Sequence, residues 1–137
     1  MRNRNTGVTL IELVVVMVII AVLSSIAIPS YRSYVLRSTR ADGKAAVLSM
    51  AGALERCYTR FNAYDDAGCT IDHTDVPSTD GQYLVTATFP GGPGSFLVTA
   101  TPQGKQADDT ACGSFSMDQT NLKSVGGSKP SAECWGR

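Results

Sequence analysis

The chain has 137 residues, with 12 lysines and arginines balanced by 12 aspartates and glutamates, four cysteines and a single histidine. That length leaves room for one small folded domain and excludes a second. The zero net charge hides a split, with eight basic and three acidic residues up to Arg60 but four basic and nine acidic from Asn62 onward. An acidic second half disfavours general nucleic-acid binding, which needs lysine and arginine clustered on one surface.

Residues Met1 to Thr6 are polar and carry Arg2 and Arg4, as expected on the cytoplasmic side of a membrane. The string Gly7-Val8-Thr9-Leu10-Ile11-Glu12 follows, and then eleven unbroken apolar residues from Leu13 to Leu23. From Val8 to Ile28 the only charge is Glu12. At about 1.5 Å per residue this stretch crosses a hydrocarbon core of roughly 30 Å as a helix. A secretory signal or a plain single-pass anchor explains the apolar run but leaves Glu12 without a purpose. An acidic group in a span costs about 2.5 to 3.5 kcal/mol near its centre, so it requires a partner. Pro29 lacks the N–H that a helix interior uses and predicts a kink or a loosened turn, with Tyr31 and Tyr34 at the outer boundary.

Gly7, one apolar residue, Thr9-Leu10-Ile11-Glu12-Leu13 and the long apolar run together resemble the class III leader and N-terminus of type IV pilins and pseudopilins. The resemblance implies that a prepilin peptidase removes residues 1–7 by cutting between Gly7 and Val8, and that Val8 is then N-methylated. It also implies that Glu12 pairs with the N-terminal amine of a neighbouring subunit when the helices bundle into a fibre. Most relatives carry phenylalanine where this chain has Val8, and another apolar residue fills that place. The implied division is a leader over 1–7, a transmembrane and polymerisation helix over 8–28, and a periplasmic or extracellular head over 29–137.

Beyond Pro29, Tyr34, Ala41, Ala45 and Leu48, joined by Val47, Ala51, Leu54, Tyr58 and Phe61, recur at steps of three and four, which predicts a helix with one buried stripe. A continuous helix from Val8 to about Phe61 would be roughly 80 Å long, a length that suits packing against copies of itself. Gly43 and Gly52 inside it point to close approach of a sheet or another helix. Asn62 to Gly81 lacks any period and reads as a connecting loop. Its aspartates Asp65, Asp66, Asp72 and Asp75 do not have the spacing of a calcium loop.

Tyr83 to Pro90 and Phe96 to Pro102 are two alternating β-rich runs around a Gly/Pro turn, with Tyr83, Val85, Ala87, Phe89, Phe96, Val98 and Ala100 on one face and threonines on the other. A third strand at Ser114 to Met117 and a weaker fourth at Leu122 to Val125 complete an antiparallel sheet of about four strands, against which the second half of the helix packs. The fold class is therefore α+β. Residues 126–130 read as a loop.

Cys57, Cys69, Cys112 and Cys134 in a small domain behind a membrane segment imply two disulfides, with three possible pairings. The local pairs Cys57–Cys69 and Cys112–Cys134 are expected, since each pins a loop-rich segment to its neighbour. His73 as the lone histidine supports neither a metal site nor a nucleophile–base pair, so no metal, cofactor or catalytic set is expected.

Ala111-Cys112-Gly113-Ser114-Phe115, Asp118-Gln119-Thr120 and Cys134-Trp135 look like the C-terminal half of a minor pilin of the PilE and ComP type. The expected function is a structural subunit of a type IV pilus, serving pilus assembly with motility and adhesion. It would be held in the inner membrane of a Gram-negative-type bacterium and then built into an extracellular fibre with other pilins. The alternatives are a ComP-like DNA-uptake pilin, a major pilin and a type II secretion pseudopilin.

Overall fold

The computed structural model describes residues 7–136. Two compact units are distinguished, dividing at Val35 and Leu36. Helix α1 spans Leu10–Phe61 and carries Pro29 without interruption. In the first unit its apolar side chains, from Leu10 to Tyr34, stand exposed, and it is long and apolar enough to cross a membrane by length and composition.

The second unit is the head. Five antiparallel strands lie in the order β1 to β5: β1 (Val76–Pro77), β2 (Tyr83–Thr88), β3 (Leu97–Pro102), β4 (Phe115–Asp118) and β5 (Lys123–Val125). The β2–β3 register pairs Val85 with Ala100 and Ala87 with Val98, so the apolar alternation of both strands falls on one face. Against that face α1 buries Gly43, Val47, Met50, Ala51 and Leu54, and Tyr83, Phe96, Val98 and Phe115 fill the space between. A Cβ at Gly43 would sit 2.8 Å from Tyr83 Cζ, so only glycine lets the tyrosine ring lie flat on the helix.

Several expectations change in detail. The sheet has five strands, because Val76–Pro77 inside the expected connecting loop pairs with Val85 and Leu84. The same segment sends Tyr64 into the core, stacked on Tyr58 at 4.5 Å and edge-on to Phe96 at 4.8 Å. The single buried stripe is two: Val47, Ala51 and Leu54 face the sheet, while Tyr34, Ala41, Ala45 and Leu48 are exposed. Among the described residues only the Arg56 guanidinium lies near a Cβ placed on Gly52, so no other described element approaches it closely. A 3-10 turn at Gly104–Asp108 and a short helix α2 at Ser131–Trp135 follow the sheet's loops, where no element was expected.

The disulfides join Cys57 to Cys69 and Cys112 to Cys134. The second does not act alone in holding the tail. Gly126, Gly127, Ser128 and Lys129 donate backbone bonds to Ser114, Cys112, Thr110 and Ala111, and a Cβ at Gly127 would collide with the Ala111 carbonyl. Cys134→Ser should therefore cost the head about 3 kcal/mol through the freed 22-residue loop, as read by chemical denaturation, while limited proteolysis of the tail stays slow in native buffer because the backbone pairing remains.

Candidate functional site

Gly7 and Val8 are exposed and precede the first turn of α1, and nothing lies within 4 Å of a Cβ placed on Gly7. Thr9 closes the helix start. Its Oγ1 accepts from the Glu12 N–H at 3.3 Å and its carbonyl accepts from Leu13 N–H at 3.2 Å. Thr9 was not singled out from sequence, although Thr-x-x-Glu before an apolar run spells a capping box. The cap leaves the Glu12 carboxylate itself exposed, with no ion pair among the described residues.

In the head, α1 is tied to the sheet's loops by a buried polar seam that sequence reasoning missed. Arg40 Nε and Nη2 donate to Asp109 Oδ2 and Oδ1 at 2.7 and 2.8 Å, a two-pronged pair in which the aspartate side chain is only 2 % exposed. Gln106 Nε2 donates to Tyr83 Oη at 3.0 Å and to the Leu36 carbonyl at 3.2 Å, so one amide touches helix, strand and turn. Higher along the helix, Ser78 Oγ donates to Asp42 Oδ2 at 2.5 Å, Asp80 N–H to Asp42 Oδ1 at 3.2 Å, and Tyr83 N–H to Ser78 Oγ at 2.9 Å. All four side chains, Asp42, Ser78, Gln106 and Asp109, are buried and bonded.

Burial works to raise the Asp109 pKa, but the Arg40 hydrogen bonds and charge, with N–H groups of Cys112 and Ala111, outweigh it and hold the carboxyl below its ordinary value. Burial pushes the Tyr83 phenol up to about 12, so this ring stays neutral and its hydroxyl can accept from Gln106. None of these groups opens onto a cleft with a nucleophile and a base. A groove of about 380 Å³ lies between α1 and β1, lined by Ala45, Ser49, Met50, Ile71, Val76 and Val85, without convergent charged groups.

The opposite face of the sheet is a row of hydroxyls. Register places Thr86 beside Thr99, Thr99 beside Ser116 and Ser116 beside Ser124. Its free edges are short or occupied. β1 is two residues long and ends in Pro77, while in β5 the Lys123 and Ser124 carbonyls accept from Ser131 Oγ at 2.7 Å and Trp135 Nε1 at 3.0 Å.

Comparison with known families decides what this arrangement serves. Residues 2–28 match the family described as the prokaryotic N-terminal methylation motif, and residues 29–116 match "Type IV minor pilin ComP, DNA uptake sequence receptor". The chain belongs to the type IV pilins. Within that family it is similar to a fimbrial protein of Dichelobacter nodosus, 31% identical over 79% of this chain and 74% of that one. It is also similar to the type IV major fimbrial protein FimA of Dichelobacter nodosus (strain VCS1703A), 32% identical over 75% of this chain but 62% of the relative's length. A solved type IV pilin from Shewanella oneidensis has the same fold, with a TM-score of 0.55 at 24% identity over 74% of this chain and 99% of that one. The chain is thus a structural pilin subunit, its long apolar helix and disulfide-bearing head being the parts of the type IV pilin fold.

The buried Arg40–Asp109 pair contributes to the acid response of the pilin head. Since the folded Asp109 is more acidic than its unfolded counterpart, its stabilisation is present above the ordinary carboxylate range near pH 4 and is lost as pH falls through the lowered folded value. Arg40→Met leaves a buried carboxylate unpaired, with an expected loss of about 3 kcal/mol at pH 7. In that variant burial dominates and the folded pKa rises, so stability measured by urea titration should fall rather than rise between pH 4 and 7. A variant that keeps the wild-type slope would show that Arg40 does not govern Asp109.

Proposed function

We propose that this pilin is a minor subunit of a type IV pilus in a Gram-negative-type bacterium, processed between Gly7 and Val8, N-methylated on Val8, and drawn from the inner membrane into the fibre. The leader over 1–7 and the polymerisation helix over 8–28 deliver the head over 29–137 to the cell exterior. The observation that carries this reading is Glu12: an exposed carboxylate one turn into an otherwise apolar helix, with no counter-charge among the described residues. The freed α-amine of Val8 on a neighbouring subunit supplies that counter-charge when helices pack, and Pro29 stands inside the helix where the membrane segment gives way to the head. The partners are other pilins and a prepilin peptidase. The head works by display and packing, with no catalytic role and no metal or cofactor.

A second reading is favoured by the match of residues 29–116 to a family described as a DNA uptake sequence receptor. In it the exposed head captures DNA, and the few basic residues of the acidic head must then be concentrated in one place.

Glu12→Ala should insert into the membrane as well as the parent or better, because a charge leaves the lipid, yet be depleted at least tenfold from sheared fibres. Gly7→Ser should accumulate as a precursor about seven residues heavier in the membrane fraction, read by intact mass. Fibre incorporation of Glu12→Ala at the parental level would overturn the pairing.

A further inference from the structure

Helix α1 is held unevenly along its length. Ser30 to Tyr34 are exposed, and serine and tyrosine, which make up most of that stretch, have only middling helix propensity. Pro29 has no N–H for the Ser25 carbonyl, and Ser33 Oγ donates at 2.9 Å to the Ser30 carbonyl, where it competes with the Tyr34 N–H. Shortly after this weak stretch the helix backbone itself is gripped. Gln106 Nε2 donates to the Leu36 carbonyl at 3.2 Å and to Tyr83 Oη at 3.0 Å, and Gln106 is buried. That carbonyl is the one the helix ladder assigns to the Arg40 N–H, so a single oxygen carries both a rung and a tertiary bond. Beyond it Arg40 is clasped by Asp109, and Gly43 lies against the Tyr83 ring. The chain divides into its two compact units immediately before Leu36.

We propose that Gln106 is a positioning residue that acts as a stop, ending local opening of α1 at Leu36 and keeping it out of the head. Opening of a helix spreads rung by rung, each step releasing one carbonyl and one N–H. Releasing the Leu36 carbonyl differs from releasing those before it, because it also takes an acceptor from a buried amide. The freed N–H is left with only the longer approach to Asp109 Oδ2 at 3.4 Å. The Arg40–Asp109 pair is a different kind of tie. It joins two side chains, which tolerate movement of the backbone beneath them, whereas the Gln106 bond fixes a peptide group of the helix itself. A subunit whose apolar half exchanges lipid for a fibre thereby keeps a folded head whatever the preceding turns of its helix do.

The test is amide-resolved hydrogen exchange of the full chain in phospholipid nanodiscs. In the parent, Arg37 to Thr39 should exchange about tenfold faster than Arg40 and Ala41, a step at the rung that Gln106 guards. Ser33→Pro, at an exposed position before the step, should speed exchange from Tyr34 to Thr39 by about tenfold or more and leave Arg40 onward unchanged. Gln106→Met keeps the side-chain length and loses the donor. Its expected signature is about tenfold faster exchange at Arg40 and Ala41, with the amides of the β2–β3 ladder unchanged. A general loss of head stability would speed the ladder amides as well, and the decision then passes to Ser33→Pro, whose site lies outside the head's core. The stop is overturned by a parent without the step, by fast exchange that runs past Arg40 in Ser33→Pro, or by an Arg40 amide that stays as slow in a folded Gln106→Met as in the parent.

Discussion

The head depends on the clasp between Arg40 and Asp109. A guanidinium on the helix and a carboxylate after the 3-10 turn meet in two-pronged geometry under cover of Tyr83, and Gln106 closes the remaining gap to the helix backbone. Apolar packing of Val47, Ala51 and Leu54 on the sheet supplies adhesion but little direction, because neighbouring apolar registers cost similar amounts. The charged pair is satisfied in one register only. It also holds the start of the run to Cys112, since the same carboxylate accepts from the Cys112 N–H, so helix position, disulfide and fourth strand are set together.

What sequence could and could not reveal follows from the range of each interaction. Period-two alternation in Tyr83 to Thr88 and Leu97 to Pro102 is local, and both strands were legible with their buried faces. The N-terminal motif was equally plain, because the one charge between Val8 and Ile28 stands out without any tertiary knowledge. The seam was not legible. Arg40 and Asp109 are 69 positions apart, and nothing in either neighbourhood announces the other. Strand β1 escaped for a related reason: two residues, one of them proline, carry no period, and only β2 beside them makes them a strand.

The two stripes of α1 were merged because periodicity counts apolar residues without asking what covers them. Val47, Ala51 and Leu54 are covered by the chain's own sheet; Tyr34, Ala41, Ala45 and Leu48 are not covered within the chain. Apolar periodicity therefore marks a helix face without saying whether the chain's own sheet covers it.

The closed edges of the sheet bear on life before assembly. Subunits waiting in a bilayer diffuse in two dimensions with their heads at a common height, which raises encounter frequency far above that of the same molecules in solution. Bare strand edges at such densities would recruit one another into irreversible cross-strand aggregates. Here one edge is two residues with a proline, and the other has its carbonyls occupied by Ser131 and Trp135. A densely stocked membrane pool can therefore stay fluid and reversible, since neither sheet edge offers a long bare strand to a neighbour.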